Sequence, residues 1–446
     1  MTGLLDGYER HYSPSLARLF ELARCPVEHT GAGTVLEAED GRRYLDFSAG
    51  YGVFALGHLD PRVQGVAQRQ LATFAGVPPG VPHAAQEALA THLAGILPGD
   101  LNTVLLAGSG TEAVEIALRA AFAARPGRHR LVAARHSYHG KTLNALAVLG
   151  QRHLRAPFEP LWTDATFVPF GDVAAVAAAL DGDTVAVLLE PILGGGYLVV
   201  PPGGYLAAVA DLCRRAGCLL IVDEVQTGFG RTGTMFAVER EDVVPDLMIV
   251  SKGLTGGHVP MAATAVADRV ARNWDDATWA RVADPPADVC GSVLACVAAS
   301  AAIAAVGALD LPARAARQGA RLLAGLAVVA DRHPAWVRSV RGRGLMAGIE
   351  LRSGLAEYAI WLRMLDRGVL TGFSTNSHAR RPVLRFFPPL IVSPVEIDEA
   401  LAALDDALTG LGRTPAIVYD AAALLLPWQY RMPKPALRLA TRLLLA

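Results

Sequence analysis

Between residues 102 and 252, short apolar runs alternate with alanine-rich segments of helical length, and this alternation restricts the fold more than any other feature of the chain. "NTVLLA" (102–107) predicts a strand, and "TEAVEIALRAAFAA" (111–124) the helix that follows it. "HRLVAA", "TVAVLLE", "CLLIVDE" and "DLMIVSK" read as further strands. Each is apolar almost throughout, which is what a strand covered on both faces requires. "LAAVADLCRRAG" is the helix that feeds "CLLIVDE", with Gly217 as its stop. Repeated in this way, the pattern predicts an α/β fold on a mostly parallel sheet. Nearer the N-terminus, "GTVLEAEDGRRYLDFSAG" predicts a β-hairpin turning at Glu39-Asp40-Gly41. From about residue 310 the texture changes to helix, then the strands of "RSVRGRGLMAGIEL", then helix again, the pattern of a smaller α+β domain.

Bulk properties narrow the function classes. A chain of 446 residues is long enough for two or three domains. No apolar run reaches the roughly 20 residues that a membrane helix needs, so the 52% hydrophobic content fits a doubly covered sheet and an oligomer interface instead. A net charge of −1 gives a nucleic-acid partner no electrostatic support. The cysteines (Cys25, Cys213, Cys218, Cys290, Cys296) are odd in number and lack a CxxC pair, so they read as free thiols in a reducing compartment. The histidines show no metal-ligand spacing such as HExxH, and no metal is expected. The opening "MTGLLDGYERHYSP" carries Asp6 and Glu9 where a signal peptide would be basic and then apolar, which points to the cytoplasm. The tail from about 413 ends in a short basic amphipathic helix with Arg438 and Arg442 four apart, read as packing on its own domain or a sister subunit, or as docking on a membrane surface or partner.

In a parallel sheet, ligands gather at the carboxyl edge. Three strand ends carry suggestive groups there. "LLAGSGTEA" places Gly108-Ser109-Gly110-Thr111 between a strand and a helix N-terminus, a natural anion cradle. "LLIVDEVQTGFGRTG" places Asp223 just past an apolar strand, and Lys252 ends "DLMIVSK", where a charge is costly without a use. Singly, each has an ordinary reading: small residues at a turn, a cap, a snorkelling surface lysine. Together, an anion cradle, a carboxylate and a partly desolvated lysine are the partners that pyridoxal 5′-phosphate needs.

From about Gly31 to about Gly410 the chain resembles the class III (ω-type) pyridoxal-phosphate aminotransferases. The motifs that carry the resemblance are "DGRRYLDFSAGYGVFALGHLDPRV", "GSGTEAVEIALR", "HSYHGKTLNAL", "PPGGYL", "LLIVDEVQTGFGRTG", "SKGLTGGHVPMAA" and "RGRGLMAGIEL". "GYGVFALGH" and "LPARAARQGARLLAGL" resemble the putrescine (diamine) branch. The resemblance implies fold type I, with a large, mostly parallel seven-stranded domain over 62–305. It implies a smaller domain from 1–61 and 306–412, with 413–446 as an extension, and a homodimer with shared sites. The implied reaction moves an amino group from a primary amine, diamine or ω-amino acid to a keto acid in a ping-pong cycle.

Residue by residue, the resemblance makes Lys252 the Schiff-base lysine and Asp223 the partner of the pyridinium nitrogen. Gln226 would bond the ring's phenolic oxygen, Val225 and Tyr138 would sandwich the ring, His139 would join the cofactor set, and Gly110 and Thr111 would hold the phosphate. Arg385, in "VLRFFPPLIV", matches the arginine for a substrate carboxylate. Two positions depart from the pattern. Asp288 stands where a threonine from the neighbouring subunit completes the phosphate site, and Gly195 where a glutamate pairs with the carboxylate-binding arginine. The same residues would serve racemisation, decarboxylation or elimination, and the departures leave open a repurposed scaffold with weakened cofactor binding.

Overall fold

The computed structural model describes residues 2–23, 28–73, 81–161, 163–283, 292–374 and 381–411. Asp288, Cys25, Cys290 and the tail with Arg438 and Arg442 lie outside the described residues.

A seven-stranded sheet carries the centre of the molecule. Across it run Thr103–Ala107, Ala262–Val266, Leu247–Val250, Leu219–Asp223, Thr184–Leu189, Arg130–Ala134 and Asp164–Val168. All neighbours are parallel except Ala262–Val266, which runs antiparallel to both strands beside it. The mostly parallel sheet expected from the alternation is therefore present. Every residue of Thr184–Leu189, Leu219–Asp223, Leu247–Val250 and Ala262–Val266 is buried. That is why these strands show no two-residue alternation in sequence. The helix Tyr205–Ala216 ends at Gly217, whose φ of 66° is the left-handed conformation that glycine adopts without a Cβ clash. The Cys218 N–H then closes back on the Cys213 carbonyl at 3.1 Å, so the chain turns straight into Leu219–Asp223.

The remaining elements form two smaller sheets. Val35–Ala38 and Arg43–Phe47 make the expected hairpin, flanked by Glu28–Ala32 and, in parallel, by Val369–Thr371. Val337–Arg343, Met346–Leu351 and Val383–Phe386 form an antiparallel sheet. The long helix Leu311–Arg332 buries Leu311, Ala315, Leu322, Leu326 and Val329, a single helical stripe. Each of those leucines contributes roughly 1.5–3 kcal/mol relative to exposure.

One side chain ties the large sheet to the three-stranded antiparallel one. Arg231, in the "GFGRTG" turn beyond Asp223, is almost fully buried. It donates to the carbonyls of Leu345 and Pro388, while Leu345 N–H donates back to the Arg231 carbonyl at 3.0 Å. Burial lowers its pKa to about 9. The described cysteines Cys213, Cys218 and Cys296 are free and buried. No single described helix is long and apolar enough to cross a membrane.

Candidate active site

A cavity of about 520 Å³ opens at the carboxyl edge of the large sheet, and the three flagged strand ends meet in it. On one side stands the start of the helix Gly110–Ala124. Ser109 caps it, its Oγ accepting from Glu112 N–H at 3.4 Å, and the Glu112 carboxylate reaches back to Gly108 N–H at 2.8 Å. Gly110 and Thr111 thus present backbone N–H groups at the positive end of the helix dipole. The Thr111 hydroxyl lies 2.9 Å from that of Thr142, which donates to Glu115 at 2.5 Å. Glu115 also accepts from Asn144 Nδ2 at 2.9 Å, tying the loop after Tyr138 to the helix.

Asp223 ends the strand Leu219–Asp223 and is 4% exposed. Its Oδ1 accepts from Val225 N–H at 3.0 Å, and its Oδ2 lies 2.8 Å from His139 Nδ1. His139 is itself buried, and its Nε2 has no partner. Val225 and Tyr138 both line the cavity, and partial burial raises the Tyr138 pKa. Gln226 lines it too, with a buried Oε1 that has no partner.

Lys252 follows the neighbouring strand Leu247–Val250 and adopts φ 44°, a left-handed conformation unusual for a residue with a side chain. Such a residue costs about 1–3 kcal/mol and persists only where its surroundings fix it. Lys252 is partly buried and lines the cavity. Enclosure lowers its pKa to about 8, Asp223 and Glu190 oppose the fall, and Arg385 and Arg231 add to it. It is therefore a lysine with a sizeable neutral fraction near neutral pH, able to attack a carbonyl.

Arg385 does not line the cavity. It sits mid-strand in Val383–Phe386, 5% exposed, with its guanidinium 4.2 Å from the centre of the Tyr51 ring. Nη2 donates to the Phe373 carbonyl at 2.6 Å and Nη1 to that of Gly194 at 3.4 Å, while Nε has no partner. Burial lowers its pKa, opposed by Tyr51 and the buried Glu357. The glutamate missing at Gly195 has no room here: a Cβ at that position would stand 2.6 Å from Gln151 Nε2 and 2.7 Å from Tyr138 Cβ. Gln151 takes the space and donates to the Gly195 carbonyl at 2.9 Å.

The cavity also holds residues that the sequence reading passed over. Lys141 lines it beside His139, and Glu190 enters from the end of Thr184–Leu189. The signal for Glu190 was available, since it ends "TVAVLLE" as Asp223 ends its own strand. Tyr51, stacked on Arg385, had none: its position depends on left-handed φ values at Ala49, Gly50 and Tyr51.

Comparison with known proteins agrees with the geometry. The profile of the family described as aminotransferase class-III matches residues 23–408. An acetylornithine aminotransferase from Methanopyrus kandleri is 38% identical over 86% of this chain and 94% of its own length. A putrescine aminotransferase from Pectobacterium atrosepticum is 35% identical over 86% of this chain and 82% of its own. Among solved structures, a Bacillus anthracis aminotransferase superposes with a TM-score of 0.82 at 27% identity, covering 92% of this chain and 98% of that one. The ornithine aminotransferase of Toxoplasma gondii gives 0.81 at 27% identity, with the same coverage.

Proposed function

The chain belongs to the class III aminotransferase family, and from that premise we propose a pyridoxal-phosphate-dependent transfer of an amino group from a primary amine, diamine or ω-amino acid to a keto acid. The observation that carries this reading is the meeting of Lys252, Asp223 and the Gly110 helix start in one cavity. The residues present fit the cofactor. His139 Nε2 and Gln226 Oε1 are buried polar atoms without partners, and such atoms ordinarily have one.

Pyridoxal 5′-phosphate, when bound, supplies an aldehyde for the nitrogen and a ring that withdraws electrons. The chain's residues supply the rest. Gly110 and Thr111 bind the phosphate through their N–H groups. Asp223, held in orientation by Val225 N–H and His139, keeps a proton on the ring nitrogen. Val225 and Tyr138, in the cavity lining, would flank the ring, and Gln226, with its amide turned, would give it an N–H. Lys252 Nζ, which lines the cavity, would hold the cofactor through its aldehyde carbon and, once the incoming amine has displaced it, would be the amine that takes and returns the substrate's Cα proton.

Arg385 is assigned to a substrate carboxylate on the resemblance: it lies behind the cavity lining, tied to the Phe373 and Gly194 carbonyls, and its buried Nε has no partner. Charge-assisted hydrogen bonds contribute about 1.5–3 kcal/mol. Arg385→Ala is therefore expected to raise KM for the keto acid by tens of fold while leaving a carboxylate-free amine little changed. Steady-state kinetics on both substrates check this, and an equal effect on the two would remove the assignment.

We further propose a homodimer with shared sites and a cytoplasmic location, which the buried free thiols suit. The parallel pairing of Arg43–Phe47 with Val369–Thr371 supports grouping 1–61 with 306–412 as the small domain and 62–305 as the large one. The reaction type is tested by incubating loaded protein with amine. Nitrogen retained as pyridoxamine phosphate supports transamination; nitrogen lost as product or ammonia points to another outcome.

A further inference from the structure

Glu190 has no part in the chemistry above, yet both of its carboxylate oxygens are bonded to segments that carry site residues. It is 4% exposed and lines the cavity. One carboxylate oxygen accepts from Tyr138 N–H at 2.9 Å, and the other from Gly194 N–H at 2.9 Å. Gly194 lies flat on the Gln226 amide: a Cβ there would stand 1.6 Å from Gln226 Oε1. The Gly194 carbonyl, in turn, receives Arg385 Nη1 at 3.4 Å. Glu190 thus connects, by direct bonds or through one residue, to Tyr138, Gln226 and Arg385. Its charge also favours the ammonium form of Lys252.

Building on the aminotransferase reading, we propose that Glu190 is a positioning residue: one buried carboxylate that aligns Tyr138 and Gln226 in the cavity wall with Arg385 behind it, and serves, beside Asp223, as a second counter-charge to Lys252 in the same cavity. Two backbone N–H donors converge on it, which favours the carboxylate over a neutral amide that would offer its own N–H to one of them. The groups that face it are His139, which favours its ionised form, and Asp223, which opposes it. Burial raises its pKa to about 7, so its charge varies in the working range of Lys252.

The test compares wild type, Glu190→Gln and Glu190→Asp in the full-length chain freed of cofactor. Formaldehyde pulses with borohydride across a pH series, read by mass spectrometry at the Lys252 peptide, give the midpoint at which the lysine becomes neutral. Loss of the counter-charge in Glu190→Gln should move the midpoint to lower pH, so that Lys252 reacts several-fold faster at neutral pH. Glu190→Asp keeps the charge but is one methylene short. It should restore the midpoint while kcat with loaded enzyme stays tens of fold below wild type. A site that has merely come apart would shift the midpoint upward instead, toward the ordinary lysine value of about 10.4. An unmoved or raised midpoint in Glu190→Gln overturns the proposal, as does wild-type kcat in both variants. Failure of wild type to fix pyridoxal phosphate on Lys252 would instead remove the aminotransferase reading, and the midpoints would still judge Glu190.

Discussion

Lys252→Ala should lower turnover by about ten-thousand-fold or more, because one side chain supplies both the nucleophile and the proton carrier, and the acid–base part alone is worth about 10²–10⁴. Alanine at a left-handed φ of 44° keeps a Cβ where one already stands, so the fold has no new clash to accommodate. With pyridoxal phosphate and borohydride, wild type should gain a mass increment on the Lys252 peptide, and the variant none. Turnover at an undiminished rate, or an adduct on Lys141 instead, would end the assignment of Lys252. The same experiment run across pH has a definite sign. The neutral amine is the attacking form and burial brings the pKa down to about 8, so capture of the aldehyde should rise through that pH and level off above it.

Asp223→Asn is the second large effect. The substitution preserves shape but removes the only carboxylate bonded to His139 among the described residues. It also sets an amide where Val225 N–H and the imidazole both meet an acceptor. A neutral amide cannot hold a proton on a ring nitrogen by charge, and removal of one preorganised electrostatic partner typically costs about 10²–10³ in kcat. The expected result is a fall of that size in kcat with a much smaller change in substrate KM. Circular dichroism should be unchanged, since the strand Leu219–Asp223 keeps its backbone ladder. A wild-type kcat would show that the ring nitrogen does not depend on this carboxylate.

Much of this was legible in the sequence because it depended on local rules. Continuous apolar runs identified doubly covered strands, and chemistry-bearing residues at their ends pointed to the carboxyl edge. Gly110, Asp223 and Lys252 were each found in this way, and they line one cavity. What stayed hidden depended on contacts between distant segments. Nothing in "VLRFFPPLIV" says that Arg385 stacks on Tyr51 or donates to the carbonyls of Phe373 and Gly194, since those partners come from three separate parts of the chain. Gly195 looked like an omission in the sequence. In space it is a requirement, because Gln151 and Tyr138 close over it. Arg231 likewise reads as one letter of a turn, yet it joins the large sheet to the carbonyls of Leu345 and Pro388.

The strand Ala262–Val266 lies between Thr103–Ala107 and Leu247–Val250, antiparallel to each. The anion cradle and the lysine therefore become near neighbours only when a late segment of the chain is inserted beside an early one. Pairings of such long sequence separation close large loops and fold slowly. The pairing with Leu247–Val250 is local, but until Thr103–Ala107 joins, Ala262–Val266 presents an unpaired edge, a template for mispairing with another chain during synthesis. Cofactor capture by a refolding population should accordingly lag behind the appearance of helix, and mark the moment when the sheet closes.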